Sequence, residues 1–206
     1  KALRRRAVPT WGVFLNEFEQ GGGPLIDIGT HALDLTLWTM NNYNPKYAVG
    51  SVYKKLNNQT NTGNFWGDWK TDEFTVEDSA FGFIVMENGA TIVLESSWAL
   101  NTLDVGEAMT ALCGDKGGAD MEGGLRVNSI EHSKQVQMNV DVSGGAVAYF
   151  SQASNKAEDI EQAIFSNAIL GNGETVVKPE QAFVVTQILE GLYESAKTGE
   201  PYYFNK

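Results

Sequence analysis

One stretch constrains this chain more than any other: GGGPLIDIGTHALDLTLW, Gly21 to Trp38. Leu25, Ile26, Ile28, Ala32, Leu33, Leu35 and Leu37 make it apolar enough for a buried helix, yet it carries Asp27, His31 and Asp34. At ~100° per residue these three fall within about a 60° sector of one helix face. The polar groups are therefore gathered, and such groups stay inside only when paired, hydrogen-bonded or open to a cavity. Three readings follow. The stripe lines an active-site cleft, or binds a metal, or forms a satisfied polar seam. Clusters of perturbed titratable groups concentrate at functional sites, which supports the first. A metal site would need ligands from other elements, and the second histidine, His132 in NSIEHSK, looks exposed and has no evident partners.

Punctuation around the helix is clear. Gly21–Gly23 marks a sharp turn or a close backbone approach. Pro24 suits a first helical turn, the helix runs to about Thr39, and Asn41, Asn42, Asn44 and Pro45 end it. Upstream, Ala2–Ala7 reads as a short helix stopped by Pro9, and Trp11, Val13, Phe14 and Leu15 give Thr10–Phe18 a strand-like character. Downstream the period changes. YAVGSVYKKL alternates, and SAFGFIVMENGATIVLESSWAL is a β-hairpin with a two-residue Asn88-Gly89 turn. EAMTALCGDKGGADMEGGLRVN gives further strands, and QVQMNVDV one more. KAEDIEQAIFSNAIL and KPEQAFVVTQILEGLYESAKTGEP then read as helices. The pattern predicts one α+β domain over residues 1–206: an open, mostly antiparallel sheet with helices packed on one face.

Charge and cysteine usage exclude several classes. Fifteen Lys and Arg against 26 Asp and Glu leave a net charge of −11, which argues against nucleic acid as a partner. The one basic cluster, Lys1 with Arg4, Arg5 and Arg6, reads as a solvated helix end, or as a group that neutralises a phosphate or an acidic partner domain. The single cysteine, Cys113, rules out an intrachain disulfide and reads as a small buried hydrophobe. No apolar run approaches the ~20 residues of a membrane span. No signal peptide is visible and a cytoplasmic location is expected, with a targeting segment upstream of Lys1 left open because the chain does not begin with Met. There is no G-x-S-x-G elbow, no P-loop, and no G-x-G-x-x-G between strand and helix, so no cofactor-binding residue is assigned.

Two groups carry candidate chemistry. His31 can exchange a proton near neutral pH, with Asp27 one turn before it to orient the ring or bind a substrate hydroxyl, and Asp34 nearly one turn after. The long polar segment NNQTNTGNFWGDWKTDEFTVED places Trp66 and Trp69 beside Asp68 and Asp72. Rings that stack on C–H faces beside carboxylates that accept from hydroxyls suit a sugar or polyol. Equally, the aromatics pin the loop to the surface or make a subunit contact.

Gly21, Gly22, Gly23, Asp27, Gly29, His31 and Asp34 fit the pattern G-G-G, apolar run, D-x-G-x-H-x-x-D. With NGATIVLESSW and the terminal helix bearing Pro179, Glu180, Ala182, Ile188, Tyr193, Ser195 and Gly199, the chain resembles the second domain of the Gfo/Idh/MocA oxidoreductases over nearly its whole length. The resemblance implies hydride transfer between NAD or NADP and a carbinol carbon of a sugar, polyol or similar alcohol. By the same resemblance His31 takes or returns the hydroxyl proton, and Asp27 binds and orients the reacting hydroxyl with help from a lysine of an E-K-P motif. The exposed sheet face would make a homo-oligomer. The E-K-P motif and the Rossmann half are absent from this chain, so it is expected to be an isolated C-terminal half that neither holds the cofactor nor turns over alone. Two alternatives stay open: a stand-alone binding or assembly module, and a member that uses NAD for glycoside cleavage.

Overall fold

The computed structural model describes residues 1–141 and 157–204. They form two compact units, one of Lys1–Leu112 with Phe183–Lys206 and one of Cys113–Ala182.

The first unit is built on five strands, β1 (Ala2–Leu3), β2 (Pro45–Tyr53), β3 (Ser79–Met86), β4 (Thr91–Ser97) and β9 (Tyr202–Tyr203). Their order is β1-β4-β3-β2-β9. Only β1 runs parallel to its neighbour; the other pairs are antiparallel. Register sorts the side chains by face. Ile84 opposite Ile92 and Ala80 opposite Ser96 point into the core, while Phe83 opposite Val93 points out. The buried face is covered by α2 (Thr30–Met40), through Leu33 and Leu37, and by α4 (Pro179–Thr198), through Val185, Ile188, Leu189 and Leu192 at i, i+3, i+4 and i+7. This is the expected α+β arrangement with helices on one face.

α4 lies very close to the sheet, and two glycines make that possible. Gly50 and Gly82 are register partners on β2 and β3. A Cβ on Gly50 would collide with the carbonyl of Leu192, and one on Gly82 would stand 2.7 Å from the Leu192 side chain. The Gly50 amide donates to Ser195 Oγ at 3.1 Å, which ties the helix to the strand.

A separate sheet is formed by β5 (Ala111–Cys113), at which the chain passes from the first unit into the second, β6 (Gly117–Asp120), β7 (Arg126–Glu131) and β8 (Lys134–Asn139), in that order. His132 and Ser133 join β7 to β8 with φ of 50° and 60°, the left-handed pair of a tight hairpin. Helix α3 spans Ala157–Ile169. The strand expected from QVQMNVDV is β8 in its first residues; Val142 and the segment to Ala148 lie outside the described residues, as does Lys156 at the head of the expected helix.

Four local expectations are corrected. Ala2–Ala7 is not helical: Ala2 and Leu3 pair with Ser96 and Ser97, and the Arg4 and Ala7 amides donate to the carbonyls of Ser97 and Trp98, so the sheet edge takes the backbone groups a helix needs. Thr10–Phe18 is not a strand. Gly12 turns the chain at φ 60°, and Asn16 caps a short helix, α1 (Glu17–Gln20), by accepting from the Phe18 and Glu19 amides. The hairpin loop is three residues, Glu87–Gly89: the Met86 amide reaches the Ala90 carbonyl, and Gly89 at φ 87° supplies the left-handed position of a bulged turn. Cys113 is exposed, because β5 is a short strand of the second sheet. Among the described residues no helix is long and apolar enough to cross a membrane.

Candidate functional site

The helix that carries the polar stripe starts on a buried carboxylate. Glu77, just before β3 and 3% exposed, accepts from the Gly23 amide at 2.8 Å, the Leu25 amide at 3.2 Å and the Tyr193 hydroxyl at 2.8 Å. The first amides of a helix lack intrahelical partners, and an anion there also meets the favourable end of the helix dipole. Burial pushes the Glu77 carboxyl above its ordinary range, more than the bonds from Gly23, Tyr193 and Leu25 pull it down. Tyr193 is likewise raised, first by burial and then by the Glu77 charge. The glycines explain themselves here. A Cβ on Gly22 would strike the Tyr193 hydroxyl, and one on Gly23 the Glu77 carbonyl. This helix head is therefore filled by protein, with the Gly23 and Leu25 amides committed to Glu77. The sequence reading missed Glu77 and Tyr193. The available signal was an acidic pair, Glu77-Asp78, placed at the mouth of an apolar strand.

The first helical turn, Leu25–Gly29, is π-helical and passes into α2 at Thr30. Turns of this kind are rare and recur at functional sites. Gly29 sits within 3.0 Å (as a notional Cβ) of Ser96 Oγ, which itself donates to the Pro24 carbonyl at 2.6 Å. β4 thus grips the widened turn, and the turn aims Asp27. Its Oδ2 accepts from Trp98 Nε1 at 2.8 Å and lies 3.7 Å from Arg4 Nη1. Arg4 in turn donates through Nε to Glu107 Oε2 at 2.6 Å and through Nη2 to Glu107 Oε1. Its guanidinium also stands 5.5 Å over the Trp66 ring. Arg4 is thus not part of a solvated helix end. Its side chain is 20% exposed and belongs to the site.

The rest of the stripe divides. His31 is exposed on α2, while Asp34 buries Oδ1 without a hydrogen-bond partner. Burial raises Asp34 above the usual carboxylate range, and the nearby His31 opposes the shift. Tyr43, whose hydroxyl is also sealed and unbonded, is raised by burial and by the Asp34 charge. Asp27 thus faces Trp98 and Arg4, whereas Asp34 is coupled to His31 and Tyr43. The expected tryptophan pair is split as well. Trp66 is 39% exposed and stacks edge-on with Trp11 and Phe65, but Trp69 is a core residue against Phe74. His132 is an exposed turn residue. Among the described residues no group of three His, Cys, Asp or Glu side chains is gathered to hold a metal ion.

The arrangement offers an oriented carboxylate acceptor, a guanidinium beside it, and a solvent-facing imidazole on the next turn of the helix. Two concavities of this unit, about 560 Å³ beside Tyr43 and Asn88 and about 830 Å³ beside Tyr193, include neither Asp27 nor His31.

Comparison with known proteins gives a consistent picture. Residues 3–120 match a family described as the GFO/IDH/MocA C-terminal domain. D-glucoside 3-dehydrogenase of Escherichia coli (strain K12) is 33% identical over 201 residues, covering 97% of this chain and 54% of that protein. The chain thus spans about half the length of this curated relative. An oxidoreductase domain protein from Kribbella flavida superposes with a TM-score of 0.74 at 16% identity, over 99% of this chain and 58% of that one. Levoglucosan dehydrogenase, solved in complex with NADH and L-sorbose, superposes with a TM-score of 0.74 at 15% identity, over 98% of this chain and 56% of that one. These two likenesses concern the fold.

Proposed function

The chain belongs to the GFO/IDH/MocA C-terminal domain family, and from that premise we propose that it is the substrate-facing part of an NAD(P)-dependent dehydrogenase acting on a sugar, polyol or related alcohol. The observation that carries this reading is Asp27, fixed by the Trp98 N–H and faced by Arg4, with the exposed His31 four residues further along the same helical segment. Sugar oxidation by the relatives named above supports it.

The reaction oxidises a secondary alcohol to a ketone: the carbinol carbon loses a hydride and its oxygen loses a proton. A nicotinamide cofactor held by another part of the parent would supply the acceptor for that hydride. In this chain Asp27, whose other partners leave it an acceptor, orients the reacting hydroxyl by accepting its one O–H in the resting complex, and that same O–H turns to His31 before the proton leaves. His31 takes the hydroxyl proton at an imidazole nitrogen as the C–H bond breaks, and being exposed it passes the proton to water. Arg4 limits the field of Asp27 and holds it in register. A lysine of an E-K-P motif in the other part of the parent shares the hydroxyl. The parent is a homo-oligomer that uses the open sheet face, where Val49, Tyr53, Phe83 and Val93 are exposed.

The test is glycoside-dependent reduction of NAD or NADP by the full-length parent, with His31→Ala as control. Removal of a general base is expected to lower kcat by about 10²–10⁴-fold. Equal rates in the wild type and His31→Ala would overturn the assignment.

A further inference from the structure

The hollow beside Tyr43 and Asn88 has a polar wall that the reaction at Asp27 does not use. It holds about 560 Å³, within the range of about 300–1,000 Å³ typical of small-molecule sites. Four stretches of the first unit meet there: the end of α2 with the turn that follows, the tip of the β3–β4 hairpin, the first half of α4, and Phe204 after β9. Met40 on its wall stands nine residues beyond His31, about 14 Å along α2 at the usual helical rise. One sugar ring cannot touch both places.

The wall carries five side-chain amides, Asn41, Asn42, Asn44, Asn88 and Gln187, and one carboxylate, Glu87. Three of the amides have local work. Asn41 takes the left-handed conformation that ends α2, at φ 47°. Asn42 accepts from the Asn44 backbone amide at 3.2 Å and donates to Asn88 Oδ1 at 3.0 Å, and Asn88 Oδ1 also accepts from the Ala90 amide at 3.1 Å. These bonds brace the turn against the hairpin, as does the Glu87 amide on the Asn44 carbonyl at 2.9 Å. Asn44 and Gln187 have no such role. Neither side chain makes a hydrogen bond among the described residues, yet both border the same hollow from segments far apart in sequence.

We infer that this hollow is an accessory site for a neutral saccharide, distinct from the Asp27–His31 position. A primary amide is donor and acceptor at once, as is a hydroxyl, so the two free amides match a polyhydroxy ligand group for group. Val184 and Phe204, partly buried against the core, give the C–H face of a sugar ring an apolar surface. The Tyr43 hydroxyl is sealed from solvent, so Tyr43 adds no polar contact of its own. Charge selects further. Among the described residues no lysine, arginine or histidine borders the hollow, and Glu87 repels a phosphate or a carboxylate, so an anion would lose its water without gaining a partner. The braced turn sets the wall before the ligand arrives, which limits the ordering cost of binding. Nothing in this site depends on turnover at His31.

Tyr43 serves as the local reporter. The full-length parent is labelled with fluorotyrosine and titrated with maltose without cofactor, and the Tyr43 fluorine resonance is identified by its loss in Tyr43→Phe. The expected result is a saturable shift of that resonance, half-complete at about 1 mM maltose, with no saturable shift from D-glucuronate up to about 20 mM. Affinity should weaken at least about tenfold in Asn44→Leu and in Gln187→Leu and stay as it is in D27A/H31A. Thermal unfolding confirms that each variant is folded, and Asn44→Ala and Gln187→Ala take the place of a leucine variant that is not. The inference is overturned by the absence of a saturable maltose shift, by a shift that survives both amide substitutions, by an equal response to D-glucuronate, or by a shift that D27A/H31A removes. Reduction of NAD or NADP by the parent reads the dehydrogenase proposal separately, so the failure of either leaves the other standing.

Discussion

Tyr193 Oη lies 2.8 Å from Glu77 Oε1, and this contact joins the last long helix to the head of the helix that bears Asp27. Because Glu77 accepts from Gly23 and the Gly23 carbonyl accepts from Asp27 N at 3.0 Å, one backbone step links the buried pair to the site. Glu77→Gln keeps the shape but opposes an amide N–H to the Gly23 N–H, or loses the Tyr193 bond. The sign of the pH effect follows from burial. The Glu77 carboxyl is raised from its ordinary 4.5, so the folded state holds its proton more tightly than the unfolded chain. Its contribution is thus fully present below the unfolded value and is lost as pH rises through the folded one. The Tm difference between wild type and Glu77→Gln should be larger at pH 4 than at pH 7. A difference independent of pH would show that Glu77 does not titrate differently on folding.

Trp98→Phe tests the aim of Asp27. Trp98 is fully buried and its Nε1 is the hydrogen-bond donor to Asp27 Oδ2. A hydrogen bond to a charged group contributes about 1.5–3 kcal/mol, so losing it should lower kcat of the parent by about tenfold or more. KM for the nicotinamide cofactor should stay as it is, since no cofactor contact is touched. Unchanged kcat in a folded variant would mean that Asp27 is positioned by Arg4 and the π-turn alone.

Much of this was legible in the sequence, and the parts that were not share a physical cause. The helical segment Leu25–Met40, expected from Pro24 to about Thr39, the Ser79–Ser97 hairpin and the terminal helix all announce themselves by local period, because each buries a face that local spacing encodes. Ala2–Leu3 was misread because pairing with β4, more than ninety residues away, overrides local helix propensity. Arg4, Glu77, Trp98 and Tyr193 were missed for the same reason. Arg4 and Trp98 reach Asp27 across 23 and 71 residues, Glu77 reaches Gly23 across 54 and Tyr193 reaches Glu77 across 116, and no spacing rule records such contacts. Trp69 carries the opposite lesson. Its neighbours in sequence are polar, yet Phe74 draws it into the core.

Gly82→Val tests the close helix–sheet approach. The added side chain would occupy space now held by Leu192, which is itself 1% exposed and has nowhere to move. Overpacking of this kind costs about 1–3 kcal/mol, and the β-branched residue's own strand propensity offsets only part of it. Denaturant unfolding of the chain should show a lower midpoint with an unchanged slope. Equal stability would mean that α4 can slide over β2 and β3 without loss.

The open sheet face gives a test of assembly. Phe83 and Val93 are cross-strand partners, 43% and 68% exposed, on the side of the sheet away from α2 and α4. A charge at the centre of a self-associating apolar patch has no partner there and must be desolvated, which disfavours association far more than it disturbs the strand. Val93→Lys should therefore shift the parent to smaller species in sedimentation velocity while the far-ultraviolet circular dichroism stays native. A sedimentation profile identical to wild type would place the assembly surface elsewhere.

The last prediction concerns the cofactor. The amides of Gly23 and Leu25, the part of the Gly21–Gly23 helix head that an anion would seek, are both committed to Glu77, and the added carboxylate would repel a pyrophosphate at the same point. The purified chain should therefore give no saturable quenching or enhancement of NADH or NADPH fluorescence up to about 1 mM, a range in which a specific site would fill. Glu77→Gln should not create binding, because Tyr193 and the Glu77 backbone still close the approach to Gly22 and Gly23. Stoichiometric, tight binding by the chain alone would show that a nicotinamide site lies within these residues, and the division of labour between substrate part and cofactor part would have to be redrawn.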